Sequence, residues 1–97
     1  DRPLIEFVFS AWVNGQFEKL IEGPEDLARM DRIREALALM RQLSDTPNLW
    51  QAQNLYFSMK ETVYGTMLRR AETGEESSRN WVEGFRKLGD DLRIKVP

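Results

Sequence analysis

The chain has 97 residues, a formal net charge of −2 and 31% charged residues, with acids and bases interspersed. That length supports one domain with a single modest core, and that balance gives no electrostatic footprint for nucleic acid or an anionic membrane. There is no Cys and no His, which excludes a disulfide framework, Ser-His-Asp and Cys-His catalysis, and the usual zinc ligand sets. No apolar run approaches a membrane span, and no signal-peptide pattern is present. A cytoplasmic origin is therefore expected, with no metal and no cofactor.

Four helical patterns follow one another. The first runs from about Pro3 to Ile21, with Pro3 suited to a first helical position. Its apolar residues include Leu4, Ile5, Phe7, Val8, Phe9, Trp12, Val13, Phe17 and Leu20. Only a narrow line through Glu6, Ser10, Asn14 and Glu18 is polar, so burial on nearly all sides is expected. Glu22-Gly23-Pro24 then breaks the chain; Gly23 can cap and Pro24 can start a helix, with Glu25 and Asp26 at the positive end of its dipole. The second helix runs to about Leu43 with the stripe Leu27, Met30, Ile33, Leu37 and Met40, widened by Ala36 and Leu43.

Ser44 to Asn48 reads as a turn, since Pro47 disfavours helix at Thr46. The third helix is expected from about Asn48 to Ala71, with Leu49, Ala52, Tyr56, Met59, Val63 and Met67 as its core stripe. Thr73 and Glu76 have the spacing of a capping box that opens a fourth helix. That helix carries Trp81, Val82, Phe85 and Leu88, and Gly89 is expected to stop it. Leu92, Ile94 and Val96 alternate with charged residues, which predicts an extended tail, a short strand at most.

The segment from Thr46 to Met59 has no charged residue and is dense in amides and aromatics. A wheel at about 100° per residue places Trp50, Gln53, Asn54, Phe57, Tyr64 and Leu68 on a second face of helix three, away from its core stripe. That face is too aromatic for plain solvent and too polar for a plain core. Three readings stand side by side. Its amides satisfy neighbouring backbone groups; or its rings stack on sugars while its amides bond hydroxyls; or it docks on protein. Other candidates are weaker. Trp12 and Trp81 fall on apolar stripes and read as core. Glu72, Glu75 and Glu76 suit a helix start, Arg69 and Arg70 a helix end. Asp45 could bind a hydroxyl or serve as a general acid, though capping a turn is its commoner role. No carboxylate pair has the placement that glycosidic chemistry needs. Two helices with surplus apolar surface are a patch problem for a free monomer, so the chain is expected either to oligomerise or to be a C-terminal segment of a larger polypeptide.

The stretch Pro47-Asn48-Leu49-Trp50-Gln51-Ala52-Gln53-Asn54-Leu55-Tyr56-Phe57 resembles the NLW-x-AQN-x-Y segment near the C-terminus of a family of bacterial proteins. These carry an N-terminal glycoside hydrolase family 57-type domain followed by a C-terminal helical region, the DUF3536 region. Ala71-Glu72, Gly74, Trp81-Val82, Phe85, Leu88-Gly89 and the closing Leu92-Arg93-Ile94-Lys95-Val96 are similar too, so the resemblance spans Leu43 to Val96. Helices one and two match in hydrophobic character alone. The resemblance implies a parent related to α-glucan-active hydrolases and transferases. It implies a (β/α) barrel with a catalytic Glu and Asp, and a helical domain that packs on the barrel and helps to shape its cleft. The barrel motifs are absent here, so no catalytic residue carries over.

The expectation is thus an all-α domain, an up-and-down bundle of four main helices with a short extended C-terminal tail. Its expected core comprises Val8, Trp12, Leu20, Leu27, Ile33, Leu37, Met40, Leu49, Tyr56, Met59, Val63, Trp81, Phe85 and Leu88. Its expected function is that of a non-catalytic accessory domain that packs on a catalytic barrel, with Trp50, Gln53, Asn54, Phe57 and Tyr64 facing a glycan or a domain interface. The alternative is a helical protein–protein interaction or oligomerisation module. The expected partners are the rest of the parent chain and an oligosaccharide, with no nucleic acid and no membrane.

Overall fold

The computed structural model describes residues 2–44 and 47–94 and is all-α. Helix α1 spans Arg2–Glu22, α2 Leu27–Leu43 and α3 Trp50–Met59; a π-helical turn, Lys60–Tyr64, joins α3 to α4 (Gly65–Glu72), and α5 spans Glu76–Asp91. The backbone stays right-handed helical through Met59, Lys60, Tyr64 and Gly65, so α3, the π turn and α4 form one continuous rod. The four main helices pack as a bundle in which α1 lies on α2 and α3, while α5 lies on α2 and α4. No helix among the described residues is long and apolar enough to cross a membrane. Asp45 and Thr46 of the expected turn, and Lys95 and Val96 of the expected tail, lie outside the described residues.

The core follows the stripes of α2 and α5: Met30, Ile33, Ala36, Leu37 and Met40 face Trp81, Val82, Phe85 and Leu88. At its centre the Phe85 ring stacks on Tyr56, Tyr64 and Trp81, with centroids 4.1, 5.3 and 4.8 Å away. Such ring pairs stabilise by roughly 0.5–1.5 kcal/mol each beyond the area they bury. The Tyr56 hydroxyl donates to the Phe85 carbonyl at 2.6 Å, and burial pushes its pKa well above the ordinary tyrosine value. The Trp81 indole N–H donates to the Pro24 carbonyl and so fixes the α1–α2 connection.

Four local expectations are corrected. Helix α2 starts at Leu27, not at Pro24; Asp26 is its N-cap and accepts from the Arg29 N–H at 3.0 Å. Thr73 opens no capping box. It ends α4, its hydroxyl donates to the Arg70 carbonyl, and α5 begins at Glu76 after Glu75 without a side-chain cap. Gly89 does not stop α5 but lies buried inside it. A Cβ there would stand 2.6 Å from the Tyr56 hydroxyl oxygen, so this glycine permits close approach of the two helices. The end comes instead at Arg93, whose φ of 63° is left-handed. The Ile94 N–H reaches the Gly89 carbonyl at 2.7 Å and the Arg93 N–H the Asp90 carbonyl at 3.0 Å, which is a Schellman motif. Leu92 is buried within this turn, so the alternating tail is a helix terminus rather than a strand at its described positions.

The largest departure is in α1. It buries Val13, Phe17 and Leu20, all in its C-terminal half. Val8 and Trp12, expected in the core, are exposed, as are Leu4, Ile5 and Phe7. Twenty-one residues at about 1.5 Å each make a rod of about 31 Å, longer than the 17-residue α2 beside it. The molecule is accordingly elongated, 49 × 22 × 20 Å, with a radius of gyration of 13.6 Å against about 12.5 Å for a compact chain of this length.

Candidate interaction surface

The exposed apolar side chains are not scattered. Val8 and Trp12 of α1 line one groove with Leu39 of α2. Phe7 lines another with Trp50 at the start of α3. Phe7 and Trp50 are each 70% exposed, and Leu4 is 59% exposed. Leu4, Ile5, Phe7, Val8, Trp12, Leu39 and Trp50 are all exposed, and the two grooves share no lining residue. From Pro3 to Phe17 the only charged residue is Glu6. The apolar character encircles α1, so one neighbouring helix cannot cover it, and α2 and α3 cover only its C-terminal half.

The second face of helix three divides among three environments. Trp50, Asn54 and Phe57 are exposed. Gln53 is half-buried, and its side-chain amide donates to the Leu92 carbonyl at 2.8 Å, which ties α3 to the end of α5. Tyr64 is in the core, stacked on Phe85, with the Arg86 guanidinium donating to its hydroxyl at 3.2 Å. The π turn is the reason. Buried positions along the rod are Ala52, Tyr56, Met59, Tyr64, Met67 and Ala71. The five-residue step from Met59 to Tyr64 advances the phase by one residue relative to an unbroken α-helix, which brings Tyr64 inward and leaves Val63 only half-buried. Thr62 donates from its hydroxyl to the Ser58 carbonyl at this turn, 2.8 Å away.

A polar cleft of about 470 Å³ adjoins Trp50 on its other side, lined by Arg41, Asn48, Gln53 and Arg93 with Pro47 and Leu49. Arg41 donates to the Asp91 carbonyl, while the Asp91 carboxylate pairs with Arg34 at 2.7 Å. Asn48 accepts from the Trp50 N–H at 3.2 Å, which sets the first turn of α3. Sequence reasoning singled out neither Arg41 nor Arg93, because residues so far apart in the chain meet only through the packing of α2, α3 and the α5 terminus.

At the opposite end Arg70 pairs with Glu75 at 2.5 Å and with Glu25 at 2.7 Å. The hydrogen bond from Arg70 draws the Glu75 pKa down to about 2. This clasp joins the α1–α2 loop to the α4–α5 loop and is structural. Glu72 and Glu76 are exposed beside it. No family profile matches the chain, and no curated protein or solved structure is significantly similar to it.

Proposed function

We propose that this chain is a non-catalytic packing domain that docks on another folded domain through the N-terminal half of α1. The observation that carries the reading is the exposure of Leu4, Ile5, Phe7, Val8 and Trp12 on the N-terminal half of one helix. The resemblance of residues 43–96 to the C-terminal region of glycoside hydrolase family 57-type proteins names the partner: the catalytic barrel of a longer, α-glucan-active polypeptide. Trp50 and Asn54, exposed beside the docking face, are then placed to reach the rim of a glycan cleft. Gln53 and Tyr64 serve the domain's own packing.

The test is a photo-crosslinking amino acid at Phe7 or Val8 in the full natural polypeptide. Crosslinks within one chain to residues of another domain are expected. Crosslinks to solvent alone would sink the reading. A second reading, self-association, has its own support: the near absence of charge from Pro3 to Phe17 removes like-charge repulsion between two copies. Crosslinks between two copies at Phe7 would select it. For the glycan rim, Trp50→Ala is expected to weaken oligosaccharide binding in calorimetry with the fold intact, and unchanged binding would remove that part of the reading.

A further inference from the structure

We propose that the cleft beside Trp50 binds an organic phosphate, with Arg41 and Arg93 on the phosphate and the Trp50 indole against the ligand's ring. This goes beyond the docking role and does not depend on what covers α1.

Charge is the first argument. The groove between α1 and α2 balances Arg32 with Glu35, and the one beside Arg70 carries Glu25 and Asp26. Among the described residues that line it, the cleft at Trp50 has two guanidiniums and no carboxylate, in a chain whose net charge is −2. Among the described residues neither Arg41 nor Arg93 is paired with an acid. The nearby Asp91 does not neutralise them: its carboxylate is held by Arg34 and only its carbonyl meets Arg41. Two like charges around one concavity focus a positive potential there.

Donor chemistry is the second. The Arg41–Asp91 bond uses one nitrogen of the Arg41 fork. Asn48 uses its oxygen on the Trp50 N–H, which leaves its amide N–H groups. Gln53 spends its amide nitrogen on the Leu92 carbonyl and keeps its oxygen as an acceptor. The lining is thus rich in donors and poor in acceptors, the complement of a phosphate, which arginine forks bind in bidentate fashion. The third argument is Trp50. Its indole is 70% exposed at the mouth of this polar cleft, where a flat apolar surface next to cations suits a ring carried by the same ligand. A sugar phosphate and a nucleotide share this chemistry, and the test separates them.

The test follows the indole N–H resonances of the isotope-labelled 97-residue chain at low ionic strength, with the Trp50 signal identified by its loss in Trp50→Phe. Glucose 6-phosphate, AMP, inorganic phosphate and glucose are titrated in turn. Saturable movement of the Trp50 signal is expected with at least one of the ring-bearing phosphates, weakened by added salt. The tighter of AMP and glucose 6-phosphate identifies a base or a pyranose as the stacked ring. Arg93→Gly separates binding from folding. It removes the cation and relieves the left-handed φ of 63°, so the melting temperature should hold or rise while affinity falls roughly tenfold, the loss expected for a charge-assisted hydrogen bond. No saturable movement with either organic phosphate at millimolar concentration would overturn the proposal. So would glucose binding as tightly as glucose 6-phosphate, or an unchanged affinity in Arg93→Gly. Phe7→Gln, on the α1 face, should leave the titration unchanged, so failure here leaves the docking reading standing.

Discussion

Helices α1 and α5 both contribute apolar side chains, yet they stand in opposite relation to the core. Helix α5 is sharply amphipathic. It places Trp81, Val82, Phe85 and Leu88 on one line, and all four are buried. Helix α1 is longer and more apolar, yet it buries only Val13, Phe17 and Leu20 among its large side chains. Burial in a domain this small follows the arrangement of apolar residues, not their number. A helix that is apolar all round is not covered by two neighbours, and the surplus stays exposed.

The contrast can be pressed from its packed side first. Phe85→Ala removes the ring shared by three stacks and should destabilise the fold by about 4 kcal/mol, measured by denaturant unfolding. Gly89→Ala should cost about 2 kcal/mol or more. The added methyl meets the Tyr56 hydroxyl oxygen and, at 3.1 Å, the backbone carbonyl of Ile94. Tyr56 is itself held by the Phe85 carbonyl and cannot swing aside freely. A helix-interior glycine replaced without loss would mean that α3 and α5 do not approach as closely as described.

A smaller effect sharpens the same comparison through pH. Glu75 has a folded pKa of about 2 against an ordinary 4.5, chiefly because Arg70 hydrogen-bonds to it. The folded state therefore binds this proton less readily than the unfolded chain. The stabilisation is present above about pH 4.5 and is lost as pH falls toward 2. Glu75→Gln should flatten that part of the acid limb of the stability curve. A variant with an unaltered acid limb would show that the Arg70 clasp contributes nothing measurable, as many exposed ion pairs do.

Much of the bundle was legible in the sequence. The stripes of α2 and α5 name most of their buried residues, because each helix meets the core with one face, though Leu27 and Leu43 at the ends of α2 are only half-buried. Three features were not. The π turn shifts the phase of helix three by one residue, so Tyr64 is carried from the second face into the aromatic core; no local residue type announces that step. Arg93 at the left-handed position lacks the glycine signature of a helix end, and Gly89, which has it, is used for close packing instead. The exposure of Val8 and Trp12 was hidden because hydrophobicity alone does not say whether the covering surface belongs to the same domain. The helical wheel placed Trp50 and Gln53 on one face away from the core stripe, but Arg41 and Arg93 come from α2 and the α5 terminus and meet Trp50 only in three dimensions.

If α1 docks as proposed, its first half serves a partner and not the fold. Thermal unfolding of the variant Leu4→Gln, Phe7→Gln, Val8→Gln tests it most directly, since Gln keeps helix propensity while removing the apolar surface. The account predicts a melting temperature within about 3 °C of the parent chain, a shift of a fraction of a kcal/mol for a domain of this size. A fall comparable to that of Phe85→Ala would contradict it and would mean that these side chains belong to the core after all.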